Sequence, residues 1–455
     1  MAENHANCPM VPEQEEVLVR SRFCIFKALI LTGILMQVNA VAFAYDRYAP
    51  VFESQPEAPS GYRWQHTLVY PFELVRRPID KTLVYLEDHK IPRKAVWMYD
   101  KLQENGISPR LHSVNSIEVG AGTEIDWIRL TRLRERLPGA VLNSWVDFKR
   151  ETVFEAGATV GAERIAGTGL RTLGTFKYED RVREHFYGIG PHTSRGDGYV
   201  YGIEQTTLEA DLGYAPNPEI AADLKIGYRN VNINGGKDGG SGQVGEGIFN
   251  EGQVNGLRGD SLMSYALEFA YDTRNNRGNS TMGGLHRATF SYNHGLNSSD
   301  AGYFKYTAEA SRYFSLKSKR RVLAVHFYGE HNDKIGNDYV PFHQMPMLGG
   351  YDSFPSYSHT LRGYDASRFK DESLVLLNIE YRYTIWENRD LKLDTVLFWD
   401  EGQVFQEFSE LQFGDFRGSY GLGFRVSLAD VMLVGAEMAF GSEGTNFYVK
   451  SKTPF

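Results

Sequence analysis

Apolar and polar residues alternate strictly over long stretches of the C-terminal part of the chain. Between Val375 and Ile385 every second residue is aliphatic or aromatic, and the residues between them include Asn378, Glu380 and Arg382. A period of two places successive side chains on opposite faces of a β-strand. The pattern therefore predicts a strand with one apolar face and one charged face.

The same alternation recurs in segments that are separated by clusters of Gly, Asn, Asp and Ser, as in 302–314, 320–331, 391–405 and 419–428. The apolar faces carry Tyr, Phe and Trp near the strand ends, and the opposite faces carry charges in mid-strand. A soluble β-sandwich also alternates, but aromatic girdles and charged strand centres favour a lipid-facing exterior and a wet lumen. A sheet in lipid has to close on itself, because no water is there to satisfy a free edge. We therefore predict an all-β protein, a transmembrane antiparallel β-barrel.

The domain boundaries follow from where this alternation begins. Residues 112–455 have room for about 16 strands, and about 14 or 18 remain compatible with the length. Residues 45–111 instead show helical spacing, with Pro78 and Pro92 near the predicted helix starts. We expect this segment to be a short periplasmic lead-in with helical character.

The first 44 residues have the features of a secretory signal peptide. Basic residues precede the apolar run 28–44, which ends in the small-x-small pattern of Ala42 and Ala44. The alternative is a single anchoring helix, but the run is short and is interrupted by Gln37 and Asn39. We expect export to the bacterial outer membrane through a cleaved signal peptide.

The composition and the motif search exclude several classes of function. Both cysteines, Cys8 and Cys24, lie in the expected leader, so the mature chain is not a disulfide scaffold. A net charge of −8 gives no reason to expect nucleic acid as a partner. The sequence has no G-x-S-x-G elbow, no H-E-x-x-H motif and no cysteine-based metal site. We expect no metal, no cofactor and no enzymatic activity, although a lipolytic enzyme with dispersed catalytic residues stays open as an alternative.

Several short motifs follow one another toward the C-terminus. They are Leu361-Arg362-Gly363-Tyr364, Glu380-Tyr381-Arg382, Phe398-x-Asp400-x-Gly402, Gly421-x-Gly423-x-Arg425 and a terminal Phe455. This order resembles the bacterial surface-antigen barrel family of BamA, TamA and their relatives, which includes the two-partner secretion transporters. The resemblance covers roughly residues 117–455 and is strongest over 348–455.

The resemblance implies a sixteen-stranded barrel whose sixth extracellular loop folds back into the lumen. In this family the arginine of the loop bonds to carboxylates on late strands. Carried over, Arg362 is the loop arginine, Asp400 its first candidate partner and Glu380 the second. The alternation supports this geometry, because it places both carboxylates on the polar, inward face of their strands. The alternative for Arg362 is a solvated loop side chain.

The resemblance also implies a function and partners. We expect an outer-membrane barrel that acts in insertion or translocation of polypeptides or lipids. The alternative is a passive pore or a structural barrel. Expected partners are outer-membrane lipids, client polypeptides and a periplasmic protein with POTRA modules, because residues 45–111 are short for such a module.

Overall fold

The structure, a computed structural model, describes residues 101–455 apart from 114–118, 150–152, 164, 166, 236–253, 298, 352–357, 389–390, 429–430 and 451–452. The expected leader and most of the expected lead-in lie outside the described residues. Residues 101–104 are helical. The first strand begins at Ile107, just before the expected start of the barrel at residue 112.

In the described residues, sixteen strands form one continuous antiparallel sheet, in which each strand pairs with the next strand of that sheet along the chain. The strands are β1 Ile107–Ser113, β2 Val119–Asp126, β3 Ala140–Lys149, β4 Val153–Ala162, β5 Leu170–Phe186, β6 Tyr199–Tyr214, β7 Ile220–Gly235, β8 Ser261–Asp272, β9 Gly283–Gly295, β10 Gly302–Ser315, β11 Arg321–Lys334, β15 Ser373–Asn388, β16 Leu391–Phe405, β17 Arg417–Leu428, β18 Val431–Gly441 and β19 Gly444–Lys450. A second sheet of three short strands comprises β12 Met347–Leu348, β13 Ser358–His359 and β14 Phe369–Lys370. The predicted antiparallel β-barrel of about 16 strands is confirmed.

The helical content of the described residues is small. A four-residue helix, α1, covers Trp127–Leu130, and single 3-10 turns cover Arg195–Asp197, Phe342–Gln344, Phe408–Glu410 and Phe413–Asp415. None of the helices described is both long enough and apolar enough to cross a membrane.

The two faces of the sheet differ in polarity and in exposure, as the alternation predicts. On β15 the inward residues, among them Asn378, Glu380 and Arg382, are buried, while outward neighbours such as Ile379 are partly exposed. The outward side chains are large and apolar: Leu397 is 56% exposed and Phe269 60%. A continuous exposed apolar band is typical of a surface that faces lipid. The single continuous sheet also excludes the β-sandwich alternative.

The connection between β11 and β15, residues 335–372, is called loop 6 here. It is the sixth connection at its end of the barrel, where the longer connections between strands lie. Longer loops at one end and shorter turns at the other are typical of the extracellular and periplasmic ends of such barrels. Loop 6 contains β12, β13 and β14, with β12 in the middle of the small sheet.

Loop 6 contributes to three apolar clusters inside the lumen, the third through Tyr351. Its first part packs Phe342 against Phe186 and Tyr201 of the β5–β6 wall. Its second part buries Leu361 in a cluster with Leu374, which lies on β15. The barrel therefore has its core inside the lumen, between the loop and the inner wall.

The sheet ends at β1 and β19, which come within 8 Å of each other between Cα atoms. In the part of the chain that the structure describes, the hydrogen-bonded order runs from β1 to β19 and no ladder joins these two strands. The barrel wall therefore has a seam between its first and last strands.

Candidate functional site

A tight turn in loop 6 presents Arg362 to the inner wall of the barrel. The Leu361 backbone N–H donates to the Gly350 carbonyl at 2.9 Å, and the Tyr364 N–H donates to the Leu361 carbonyl at 3.2 Å. The Leu361 side chain is fully buried. The turn is thus anchored by an apolar side chain on one side, and Arg362 projects from the other.

Arg362 forks onto Asp400, which lies on the inward face of β16. Its Nε donates to Asp400 Oδ2 at 2.7 Å and its Nη2 to Asp400 Oδ1 at 2.5 Å. The Arg362 backbone N–H also donates to Oδ2, at 3.2 Å. A planar guanidinium matches the two oxygens of a carboxylate in this way, which makes the pair both strong and directional.

The remaining guanidinium nitrogen contacts two further carboxylates. Arg362 Nη1 donates to Glu380 Oε1 at 2.7 Å and to Glu437 Oε2 at 3.2 Å. The guanidinium carbon lies 3.5 Å from the centroid of the Phe398 ring. All four charged side chains have 0% exposure. Arg362 therefore lies between an aromatic face and three buried carboxylates.

Other cations balance these carboxylates. Arg425 donates through Nη2 to both Glu380 Oε1 at 2.7 Å and Glu437 Oε1 at 2.6 Å. Arg382 Nε donates to Glu380 Oε2 at 2.9 Å. Lys450 Nζ lies 2.5 Å from Glu437 Oε2. We call the cations Arg362, Arg382, Arg425 and Lys450, together with the carboxylates Asp400, Glu380 and Glu437, the arginine network. Each carboxylate of the network faces at least one cation.

Comparison with known proteins shows the family to which this barrel belongs. The Omp85 superfamily domain model matches residues 150–441, well over half of the chain. The chain belongs to the Omp85 superfamily. Proteins of this superfamily are outer-membrane proteins, and the resemblance inferred from the motifs is confirmed at this level.

Solved structures that match this chain include one of BamA and two of CdiB. The crystal structure of BamA from Haemophilus ducreyi lacking POTRA domains 1–3 has a TM-score of 0.54 and 16% identity, over 77% of this chain and 70% of that one. CdiB from Acinetobacter baumannii has a TM-score of 0.46 and 13% identity, over 76% of this chain and 59% of that one. CdiB from Escherichia coli has a TM-score of 0.48 and 12% identity, over 76% and 63% of the two chains. Among curated proteins, none matches this chain in sequence. At 16% identity, the likeness to the BamA structure concerns the fold alone.

Neutral side chains of this Omp85 barrel complete the network. Asn378 Nδ2 donates both to Asp400 Oδ1 at 2.8 Å and to the Thr360 carbonyl of loop 6 at 3.0 Å. The Tyr448 hydroxyl, on β19, donates to the Arg362 carbonyl at 2.7 Å. The loop backbone is therefore held from β15 and from β19 as well as through the arginine.

The two residues after Arg362 explain the rest of the motif. A Cβ at Gly363 would lie 2.5 Å from Ser419 Cβ and 2.8 Å from Gly441 Cα, so no larger residue fits. The Tyr364 hydroxyl lies 2.9 Å from Ser442 Oγ, and its ring meets Phe369 edge-on at 5.2 Å. The glycine lets the loop backbone touch the wall, and the tyrosine fixes the turn beyond it.

The electrostatic state of Arg362 follows from its surroundings. Burial alone lowers the pKa of an arginine, but Asp400, Glu380 and Glu437 outweigh it and raise the pKa of Arg362 well above its usual value. Arg362 is thus a permanent cation. Removing it leaves three carboxylates without one of their partners.

Loop 6 is also held near its outer end by contacts to neighbouring connections. Arg368 donates through Nη2 to Glu443 Oε1 at 2.7 Å and to the Thr193 carbonyl at 2.6 Å. Arg195 Nε donates to Asp365 Oδ2 at 2.7 Å. The β5–β6 connection, the β18–β19 connection and loop 6 are joined by these pairs.

The sequence named the loop motif, Asp400 and Glu380, and the structure brings these residues together. It did not assign a role to Arg382, Arg425, Glu437 or Lys450. Glu437 could have been found, because it interrupts an apolar run at an inward position of β18. Lys450 follows no motif, and its place in the network depends on the curvature of the barrel.

A serine, an aspartate and a histidine meet elsewhere, but not in a catalytic order. Ser299 Oγ donates to Asp260 Oδ1 at 2.5 Å, and His343 Nε2 lies 3.1 Å from Asp260 Oδ2. A serine hydrolase needs the imidazole between the hydroxyl and the carboxylate. Here the carboxylate lies between the other two, so the group ties together three connections at the long-loop end. The described residues contain no group of His, Cys, Asp and Glu that could hold a metal ion.

Proposed function

We propose that this Omp85 barrel acts in insertion or translocation of polypeptides at the outer membrane. The supporting observation is that the arginine network holds β19, the strand at the seam. Tyr448 of β19 bonds the Arg362 carbonyl, and Lys450 of β19 pairs with Glu437. The pinned loop and the edge of the barrel wall are therefore one connected unit.

The physical chemistry of the seam favours polypeptide as the substrate. β1 and β19 are seven residues each, the shortest strands of the large sheet. Free backbone donors and acceptors are costly in lipid, so an open seam needs a partner that supplies both. An extended polypeptide does so by adding a strand to a free edge. Lipid tails cannot, which makes polypeptide the favoured cargo.

Site-specific photo-crosslinking tests this proposal. A photoreactive residue replaces Phe447, an outward side chain of β19 that is 46% exposed. The matched control replaces Phe269, an outward side chain of β8 that is 60% exposed and lies far from the seam in the sheet order. We expect polypeptide adducts at position 447 and lipid adducts alone at position 269. Equal polypeptide adducts at both positions, or none at either, would contradict the proposal.

The passive pore is the second candidate, and the packing of loop 6 disfavours it. Arg362 and Leu361 are fully buried between the loop and the wall, which leaves little lumen open at that level. Single-channel recording discriminates the two, because a passive pore has a steady open current and needs no client.

We further propose that the protein has no enzymatic activity, that its leader is cleaved after Ala44, and that a POTRA-bearing periplasmic protein delivers its clients. The arrangement of Ser299, Asp260 and His343 supports the first point, because the imidazole does not contact the serine. A lipase assay on the purified barrel tests it. N-terminal sequencing of the membrane-inserted chain tests the second, and co-purification from the periplasm tests the third.

A further inference from the structure

The side chain of Phe455 lies inside the lumen. The Phe455 ring stacks on the His326 imidazole with 4.9 Å between centroids and 10° between planes. The Arg382 guanidinium carbon lies 5.6 Å from the same centroid, and the Tyr313 ring lies 6.4 Å away. The ring is thus surrounded by two aromatic groups and a cation.

The residues around Phe455 come from three neighbouring strands on one side of the barrel. Tyr313 is on β10, His326 on β11 and Arg382 on β15. Val322 and Ala324, both buried, complete the apolar part of the cluster. The small Ala324 lies between Tyr313 and Glu380 in the strand register, which leaves space for a ring. We call this group the ring site.

The ring does not lie beside the strand that precedes it. Phe455 follows β19, whereas Arg382 is on β15, four positions away in the sheet order. Four strand spacings along the wall amount to about 19 Å. The contact therefore spans part of the lumen, and it lies at the short-turn end, where β10 ends and β11 begins.

The ring site is preorganised by bonds that do not involve Phe455. His326 Nδ1 lies 3.0 Å from Asn378 Oδ1, and its Nε2 lies 3.3 Å from Glu309 Oε1. Arg382 Nε donates to Glu380 Oε2 at 2.9 Å. These contacts do not involve the ring, so we expect little ordering of the two side chains when a ring binds. A stacked imidazole and a guanidinium over a ring face are attractive contacts.

We propose that Tyr313, His326 and Arg382 form a binding site for an aromatic side chain of a peptide, and that the chain's own Phe455 occupies it in the resting barrel. Phe455 is then a ligand tethered to the barrel that it occupies. This inference is independent of the polypeptide transport proposed above, because it concerns an equilibrium between the site and a peptide.

Peptide binding to a truncated barrel tests the site. The receptor is the membrane-folded chain without Thr453–Phe455, and the probe is the synthetic heptapeptide VKSKTPF. Saturation-transfer NMR measures the binding of the peptide to the receptor. The control peptide VKSKTPA lacks the ring. We expect the first peptide to bind at least about tenfold more tightly, which corresponds to about 1.4 kcal/mol. The full-length barrel should bind it at least about tenfold more weakly, because its own tail competes at an effective concentration on the order of millimolar.

Variants of the inner wall distinguish binding at the ring site from non-specific binding. His326→Ala in the truncated barrel should abolish the preference for the aromatic peptide, whereas Thr289→Ala, on the inward face of β9, should leave it unchanged. If the truncated chain does not fold, full-length Phe455→Ala serves as the receptor with the same expected results. Equal binding of the two peptides, or no binding to either receptor, would overturn the proposal.

Discussion

Arg362 donates five hydrogen bonds, and every carboxylate it contacts is fully buried. Asp400 alone receives three of them. Because these ion pairs are completely buried, the stability gained by forming one is smaller than the stability lost when one partner is removed. The net gain from forming it is modest, because both ions lose their water, but the loss of one partner leaves charges stranded in an environment of low dielectric.

Arg362→Ala should therefore destabilise the loop by about 3–5 kcal/mol, the typical cost of breaking a buried pair. Arg362→Lys should rescue this poorly, since a point charge cannot fork onto Asp400 while reaching Glu380. The measurement is the rate of protease cleavage within loop 6 of the folded barrel. Arg195→Ala is the control, because that arginine has 54% side-chain exposure and its pair with Asp365 should contribute about 1 kcal/mol or less. Equal cleavage rates for Arg362→Ala and Arg195→Ala would contradict the burial argument.

Gly363→Ala should loosen the same turn without changing any charge. The added Cβ would overlap Ser419 and the Gly441 backbone, and backbone cannot move aside cheaply. Overpacking of this kind costs about 1–3 kcal/mol. Gly414→Ala is the matched control, because a Cβ there has no atom within 4 Å. The proteolysis assay applies again, and a wild-type rate for Gly363→Ala would show that the turn can shift away from the wall.

At the scale of elements, loop 6 behaves as a small domain inside the barrel. It has its own three-stranded sheet, it contributes to three apolar clusters, and it forms salt bridges through Arg362 and Arg368. Its strand β14 carries Lys370, whose ammonium nitrogen lies 4.9 Å from the Phe342 centroid and 5.4 Å from that of Phe186. Among the described residues, Lys370 Nζ has no hydrogen-bond partner.

Lys370 should make the stability of the loop depend on pH. Burial lowers the pKa of Lys370 to about 7, although Glu184 opposes this shift. Below pH 7 Lys370 is charged in the folded chain too, and the cost of removing its charge from water is at its largest. Between pH 7 and the ordinary lysine pKa of about 10.4, the unfolded chain binds more protons than the folded chain, so the free energy of unfolding rises with pH. Lys370→Met should therefore raise the melting temperature at pH 6, with a gain that shrinks toward pH 10. Lys319→Met, in an exposed turn, is the control, and a gain independent of pH would rule out titration as the cause.

The outward faces of the strands give a prediction about lipid. Ile379→Arg should cost about 2–4 kcal/mol near the bilayer midplane, whereas Thr307→Arg on the lumen wall should cost much less. Refolding into lipid vesicles at increasing urea measures both. Asn378 also faces the lumen, but it does not share this tolerance, because its amide joins Asp400 to the loop. Equal losses at positions 379 and 307 would mean that the outer face does not contact lipid.

At the scale of the whole molecule, the barrel wall and loop 6 in the lumen support each other. In the described residues the ladder runs without a break from β1 to β19, and the arginine network ties the seam strand β19 to the loop. Polar side chains on the inner wall are satisfied largely by loop 6 and by each other. The loop thus stabilises the barrel at the place where the sheet is weakest.

The intact barrel should resist detergent as a unit. The mature chain should migrate differently on gels when unboiled and when boiled, with circular dichroism dominated by strands. This is because a sheet that pairs nearly all of its edges unfolds cooperatively. A barrel without β19, ending at Gly441, is the control and should lose the mobility difference at a lower temperature. A soluble, helix-rich product from the full chain would contradict the fold.

The sequence by itself determined the sheet, its two faces and its approximate number of strands, because a period of two is a local property that each strand carries independently. It also singled out Arg362, Asp400 and Glu380, because the order of the motifs resembles a family in which a loop arginine bonds to carboxylates on late strands, and because the alternation places both carboxylates on the inward face. Tertiary structure decided which charges meet. Glu437 and Lys450 join the network because the wall curves β18 and β19 toward the loop, and Phe455 reaches His326 across the lumen. Such contacts depend on closure of the barrel, and closure is a property of all the strands together.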